Sequence, residues 1–202
     1  MIRALLRAPA GPAEVIADAL RVLAAISIIV AGIGWGPQGA LSLAATFGVL
    51  LIPRLLALPP AFDIIFGAAT LAASWSSVTD LYLTARWWDI PMHFLTNGIW
   101  AALLYVVLVR FDVIADAATL PRPMLSAAVM TTALGLSIAV FWELFEWLGH
   151  TFIDSEIFVG YRDSVGDMAV GGLGSLLAGL AMRALLGRER VVEEKASPES
   201  IG

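Results

Sequence analysis

The stretch WWDIPMHFLTNGIWAALLYVVLVR, residues 87–110, decides how this chain is read. From Ile90 to Val109 it carries no Asp, Glu, Lys or Arg, and it is bracketed by Asp89 and Arg110. A bilayer core takes about 20 mostly apolar residues per helix, so this is a membrane-crossing helix. It has polar groups, Asp89, His93 and Asn97, in one stripe near one end, because residues four apart share a helix face.

The rest of the chain follows the same pattern. Its 202 residues are 59% apolar and 14% charged, against roughly 25% charged in an ordinary soluble domain. Twelve basic and seventeen acidic residues cannot clothe a water-facing surface of this size. Zero cysteines exclude disulfides and thiolate chemistry. A net charge of −5 with no basic run argues against a nucleic-acid partner; the partner is the lipid bilayer.

The spacing predicts an all-α membrane bundle of about six helices: Leu20–Gly36, Gly39–Ala57 with a kink at Pro53, Ala61–Leu83, Ile90–Val109, Met124–Trp147 and Ser164–Leu186. Residues 1–19 read as an N-terminal cytoplasmic or interfacial segment, 20–187 as the membrane domain and 188–202 as a polar, disordered tail. Alternate loops then share a side. One side collects Arg3, Arg7, Arg21, Arg54, Arg110, Arg122, Arg183, Arg188, Arg190 and Lys195, leaving only Arg86 and Arg162 on the other. Basic residues are retained in the cytoplasm, so both termini are expected there. Trp35, Trp87, Trp88, Trp142 and Trp147 fall near the outer helix ends, as an aromatic belt does.

That topology concentrates Asp80, Asp89, Glu143, Glu146, Asp154, Glu156, Asp163, Asp167, His93 and His150 at the outer side. Counted at 1.5 Å per residue, His93 lies about 25 Å from the inner edge of a core about 30 Å thick. Asp89, His93 and Asn97 form one stripe, Glu143, Glu146 and His150 a second, Asp163 and Asp167 a third. Carboxylates grouped in a partly apolar site share protons or take a cation, and carboxylate plus imidazole is a metal-ligand set. The expected ligands are Asp89, His93, Glu143 and Asp167, with Glu146 as general base and Asn97, His150, Asp163 and Arg162 in support. The cofactor is a divalent metal ion, with Mg, Mn, Ca and Zn not distinguished.

Plainer roles exist for each residue. Asp89 before Ile90-Pro91 fits an N-cap, Asp163 could cap the sixth helix, Asp154 and Glu156 fit a solvated loop, and His93 alone fits a structural hydrogen bond. Gly171, Ser175 and Gly179, with Gly174 and Ala178 beside them, form small-residue ridges for close helix packing.

Trp87-Trp88-Asp89 with His93-Phe94, then Trp142-Glu143-Leu144-Phe145-Glu146-Trp147, then Asp163-Ser164-Val165-Gly166-Asp167-Met168 before a glycine-rich helix, resembles the YjdF-like bacterial inner-membrane proteins and, more distantly, VanZ-like membrane proteins. The likeness covers roughly residues 50–187. It implies a polytopic fold in the inner membrane of a bacterium and a polar signature of Asp89, His93, Glu143, Glu146, Asp163 and Asp167, but no reaction. Val165-Gly166 and Gly171-Gly172 depart from the family pattern.

Three functions remain open. The first is a metal-dependent hydrolase or transferase on a lipid-linked or envelope substrate, although His-Glu-x-x-His and Gly-x-Ser-x-Gly are absent and a lone Asp-x-x-x-Asp lacks its partner motif. The second is a proton- or cation-coupled transporter, which the few polar residues deeper in the bundle and the lack of an internal repeat oppose. The third is a non-catalytic subunit of a larger membrane complex, or a homo-oligomer.

Overall fold

The computed structural model describes residues 7–153, 155, 157 and 159–186, and among them there is no strand. The helices are α1 (Pro12–Leu50), α2 (Ile52–Leu55), α3 (Pro60–Val78), α4 (Leu81–Thr84), α5 (Asp89–Arg110), α6 (Pro123–Phe152), α7 (Tyr161–Leu180) and α8 (Met182–Leu186), with single 3-10 turns at Arg86–Trp88 and Ala117–Thr119. Four stretches are long and apolar enough to cross a membrane: Pro12–Leu55, Pro60–Val78, Arg86–Arg110 and Pro123–Phe152.

α1 is not one rod. Gly36 leaves the helix with φ 77° and ψ −168°, and Pro37 follows it. That φ lies in the region only glycine enters without strain, and Pro37 cannot supply the amide that would bridge the break. The chain folds back there, so that Arg21 in the first arm donates from Nε to the Leu50 carbonyl of the second, 3.0 Å away. A Cβ on Gly39 would stand 3.2 Å from the Ala31 carbonyl oxygen, so the two arms close tightly just beyond the bend.

Helix boundaries depart from the spacing in explicable ways. The first helix begins at Pro12, eight residues before Leu20, because Pro12 sits at the first helical position, where its missing N–H costs nothing. Arg21, which looked like an interruption, is buried inside that helix. α3 stops at Val78 rather than Leu83, since Asp80 adopts a left-handed φ of 55°. Asp89 and Asp163 are not caps: Trp88 and Gly160 hold the N-cap positions, with no side-chain cap bond at either. Residues 1–6 and 187–202, and with them most of the expected terminal segments, lie outside the described residues.

The helices group in two units. α1 packs chiefly on α3, whereas α5, α6 and α7 pack chiefly on one another. Indole and guanidinium donors stitch the seam between the units. Trp88 Nε1 donates to Ser76 Oγ at 2.9 Å, Trp100 Nε1 to Thr70 Oγ1 at 3.1 Å, and Arg110 Nη1 to the Leu56 carbonyl at 2.9 Å. Phe62, Phe66, Leu43 and Leu50 are fully buried in the first unit, and Phe66 meets Trp100 across the seam at 5.4 Å between ring centroids.

Lipid tails are as apolar as leucine, so association inside a bilayer depends on close van der Waals packing and interhelical hydrogen bonds. The second unit supplies both. A Cβ on Gly98 would lie 2.7 Å from the Gly174 carbonyl oxygen, so α5 and α7 touch backbone to backbone. Gly135 of α6 is filled by Ser175, and Gly179 by Ala128 and Thr131. The small-residue ridges of α7 are therefore packing surfaces, used on two sides at once.

Candidate metal centre

The register set by that close contact builds the site. Asn97 of α5 lies against Gly171 of α7. One helical turn earlier on each helix stand His93 and Asp167. Asp89, another turn back on α5 and the first residue of its helix, approaches His93 Nε2 with Oδ1 at 3.2 Å. One ligand atom from each of Asp89, His93 and Asp167 falls within 4.8 Å of the others. Asp167 is buried, and Asp89 and His93 are half-buried.

Among the other residues expected at the site, Glu143 of α6 is the informative one. Its Oε1 is buried with no hydrogen-bond partner among the described residues, a costly condition for a carboxylate oxygen. Glu146, one turn on, accepts a 2.8 Å hydrogen bond from Trp142 Nε1 and lies close enough to feel the charges of His93 and Asp89. Asp163, half-buried in the first turn of α7, feels Asp89, Glu143 and His93. The negative field reaches α4 as well. Burial first, and then the charges of Asp89 and Glu146, push the Tyr82 hydroxyl up to about 12.

Two residues have other partners, and a third is exposed. Asn97 is a tie beneath the cluster, donating from Nδ2 to the Gly135 carbonyl at 2.9 Å and to Ser175 Oγ at 3.2 Å, so it joins α5, α6 and α7. His150 is exposed, with Nδ1 2.6 Å from the Ile157 carbonyl, and holds the connection after α6. Arg162 is exposed. Asp154 and Glu156 lie outside the described residues.

A second polar cluster, which the sequence reading missed, sits at the opposite end of the bundle. Arg21 Nη2 binds both oxygens of Asp63, at 2.6 and 2.5 Å, and Arg21 Nη1 binds Asp18 at 2.9 Å. Arg54 reaches Glu14 at 3.4 Å and Asp18 at 3.5 Å, and Arg7 reaches Glu14 at 2.7 Å. Asp63 offered the signal: an acid one turn into an apolar span must find a cation, and Arg21 and Arg54, basic residues inside the first two expected spans, were available partners.

Long apolar helices, glycine-mediated packing and ionisable groups gathered at the bundle ends define a helical membrane protein. The chain belongs to the DUF2238 family of predicted membrane proteins, the YjdF-like family, whose model matches residues 16–188. The match extends the family likeness through α1, which the sequence motifs alone had left outside it. No curated protein and no solved structure matches the chain.

Proposed function

We propose that this protein crosses a bacterial cytoplasmic membrane six times, with both termini in the cytoplasm, and holds a divalent cation at its external end between Asp89, His93 and Asp167. The observation that carries the reading is the convergence of two carboxylates and an imidazole from two helices within 4.8 Å. The chemistry of the set fits. Zn or Mn ligands at about 2.1 Å stand at most about 4.2 Å apart, and Ca ligands at up to 2.6 Å at most about 5.2 Å, so little or no closure is needed. The buried, unpartnered Oε1 of Glu143 is a second observation in favour, since a cation would satisfy such an oxygen; Glu143 stands outside the group gathered within 4.8 Å and would join it as a fourth ligand. Support for six crossings comes from the reversal at Gly36, which would make two crossings of α1 and α2, from the 20-residue length of α7 and from the one-sided distribution of Arg and Lys.

Three protein ligands leave a position open on a tetrahedral ion such as Zn, the condition for chemistry rather than for a closed structural site; with four, only an ion of higher coordination number such as Ca keeps one open. A bound divalent ion supplies Lewis acidity and makes water a better nucleophile at neutral pH. With the ion bound, Glu146, held in place by the Trp142 indole, would serve as the general base. The reaction class is hydrolysis or transfer on a lipid-linked or envelope substrate at the outer leaflet.

The test is metal analysis and calorimetric titration of detergent-purified protein with Mn, Zn and Ca. About one ion per chain is expected for the wild type, and a loss of at least tenfold in affinity for His93→Ala and Asp167→Asn. Glu146→Gln should keep the ion. Wild-type protein that takes up no ion overturns the reading.

A further inference from the structure

The start of α5 carries an expected ligand but lacks a side-chain cap. Trp88 holds the N-cap position with no cap bond, and Asp89 is the first residue of the helix. Helix ends fray because their first amides have no partner within the helix. The backbone bonds at this point stay local: Trp88 N donates to the Ala85 carbonyl at 2.8 Å, and Asp89 N to the Arg86 carbonyl. A side chain reaches farther, since Trp88 Nε1 donates to Ser76 Oγ of α3 at 2.9 Å. We propose that Ser76, through this bond, is a positioning residue for Asp89, so that the first helical unit sets the geometry of a cation site whose other ligands belong to the second. The proposal rests on the cation reading above.

Three observations carry it. Ser76 is buried, and it donates its own proton to the Ala72 carbonyl at 2.7 Å. A hydroxyl has one proton to give, so towards the indole Ser76 is a fixed acceptor. The segment leading into α5 leans on the same turn of α3, where the Tyr82 hydroxyl donates to the Ala73 carbonyl at 3.4 Å, and Trp87 rests edge-on against Trp88 with ring centroids 5.7 Å apart. Finally, the contacts that set His93 level with Asp167, those of Asn97 with Gly171 and of Gly98 with Gly174, lie inside the second unit, whereas Asp89 stands a turn nearer the helix end. Binding constellations must be held to within about 0.5 Å, so a loose first turn of α5 weakens the site.

The seam supplies its own control. Trp100 Nε1 donates to Thr70 Oγ1 at 3.1 Å, a bond of the same chemistry between the same two helices, about 16 Å along α5 from Asp89 at 1.5 Å per residue. The experiment measures Mn affinity by calorimetric titration and melting temperature by circular dichroism on the detergent-purified full chain. Ser76→Ala and Trp88→Phe break the bond from either side, and each should weaken Mn about tenfold, as loss of a group that orients a ligand does. Ser76→Thr keeps the hydroxyl and should bind Mn as the wild type does. Thr70→Val should lower the melting temperature and leave Mn affinity unchanged. Should Ser76→Ala not fold, Trp88→Phe decides. Mn affinity unchanged in Ser76→Ala or in Trp88→Phe, no recovery in Ser76→Thr, or an equal loss in Thr70→Val overturns the proposal while leaving the cation site standing. A wild type that binds no Mn removes both.

Discussion

Asn97 and Gly171 are in contact so close that a Cβ at position 171 would come within 2.8 Å of Asn97 Nδ2 and 3.0 Å of its Cγ. That contact sets the register of α5 against α7, and the register in turn brings His93 level with Asp167. Gly171→Ala must push the helices apart or displace the amide that ties α5 to Gly135 and Ser175. Overpacking of this kind costs about 1–3 kcal/mol. The variant should melt lower in detergent and bind Mn more weakly, although residue 171 carries no ligand. Unchanged Mn affinity would show that the register does not control the site.

Asn97→Leu separates the tie from the ligands. It removes two interhelical hydrogen bonds but keeps the volume, and polar bonds between membrane helices average about 0.6 kcal/mol each. A modest fall in melting temperature is expected, with the wild-type ion count. Loss of the ion with an unchanged melting temperature would instead make Asn97 part of the site.

At the opposite end, Asp63→Asn leaves the buried Arg21 guanidinium without its carboxylate. Breaking a buried pair from one side costs about 3–5 kcal/mol, whereas replacing both partners with apolar residues is often neutral. Arg21→Met combined with Asp63→Leu should therefore be more stable than Asp63→Asn alone when unfolding is followed by circular dichroism. The reverse order would mean that the remaining pairs with Asp18 and Arg54 dominate.

Thr131 is fully buried, and its Oγ1 has no hydrogen-bond partner among the described residues. An unsatisfied hydroxyl costs about 1–3 kcal/mol, and valine has nearly the same shape. Thr131→Val should raise the melting temperature. A decrease would point to a partner such as an ordered water.

The chain has no cysteine, so single cysteines report topology directly. Ser155→Cys, between α6 and α7, should react with a membrane-impermeant maleimide on whole cells; Val113→Cys, between α5 and α6, should react only after lysis. Opposite labelling would invert the bundle and put the acidic site inside the cell.

Much of this architecture could be read from residues alone because lipid imposes a simple rule: apolar runs of fixed length, interrupted where charge is tolerated. The stripe of Asp89, His93 and Asn97 was visible as helical spacing, and so was that of Asp163 and Asp167. What spacing does not show is which faces meet. The pairing of Asp167 with His93, and not with His150, depends on Gly98 meeting Gly174 and Asn97 meeting Gly171. Glycine marks such contacts without naming the partner. The bend at Gly36 was legible only as a gap between two runs, and the ion pairs of Arg21 and Arg54 were hidden because arginine near a helix end is equally at home snorkelling to the interface.

The pairing of Arg21 with Asp63 also sets a clock. The two residues are 42 positions apart, so at about 5–20 residues per second the arginine leaves the ribosome about 2–8 seconds before its carboxylate exists. Through that interval the guanidinium has only Asp18 and, once it is made, the Leu50 carbonyl to meet. α3 is thus the last element to arrive of those that satisfy Arg21.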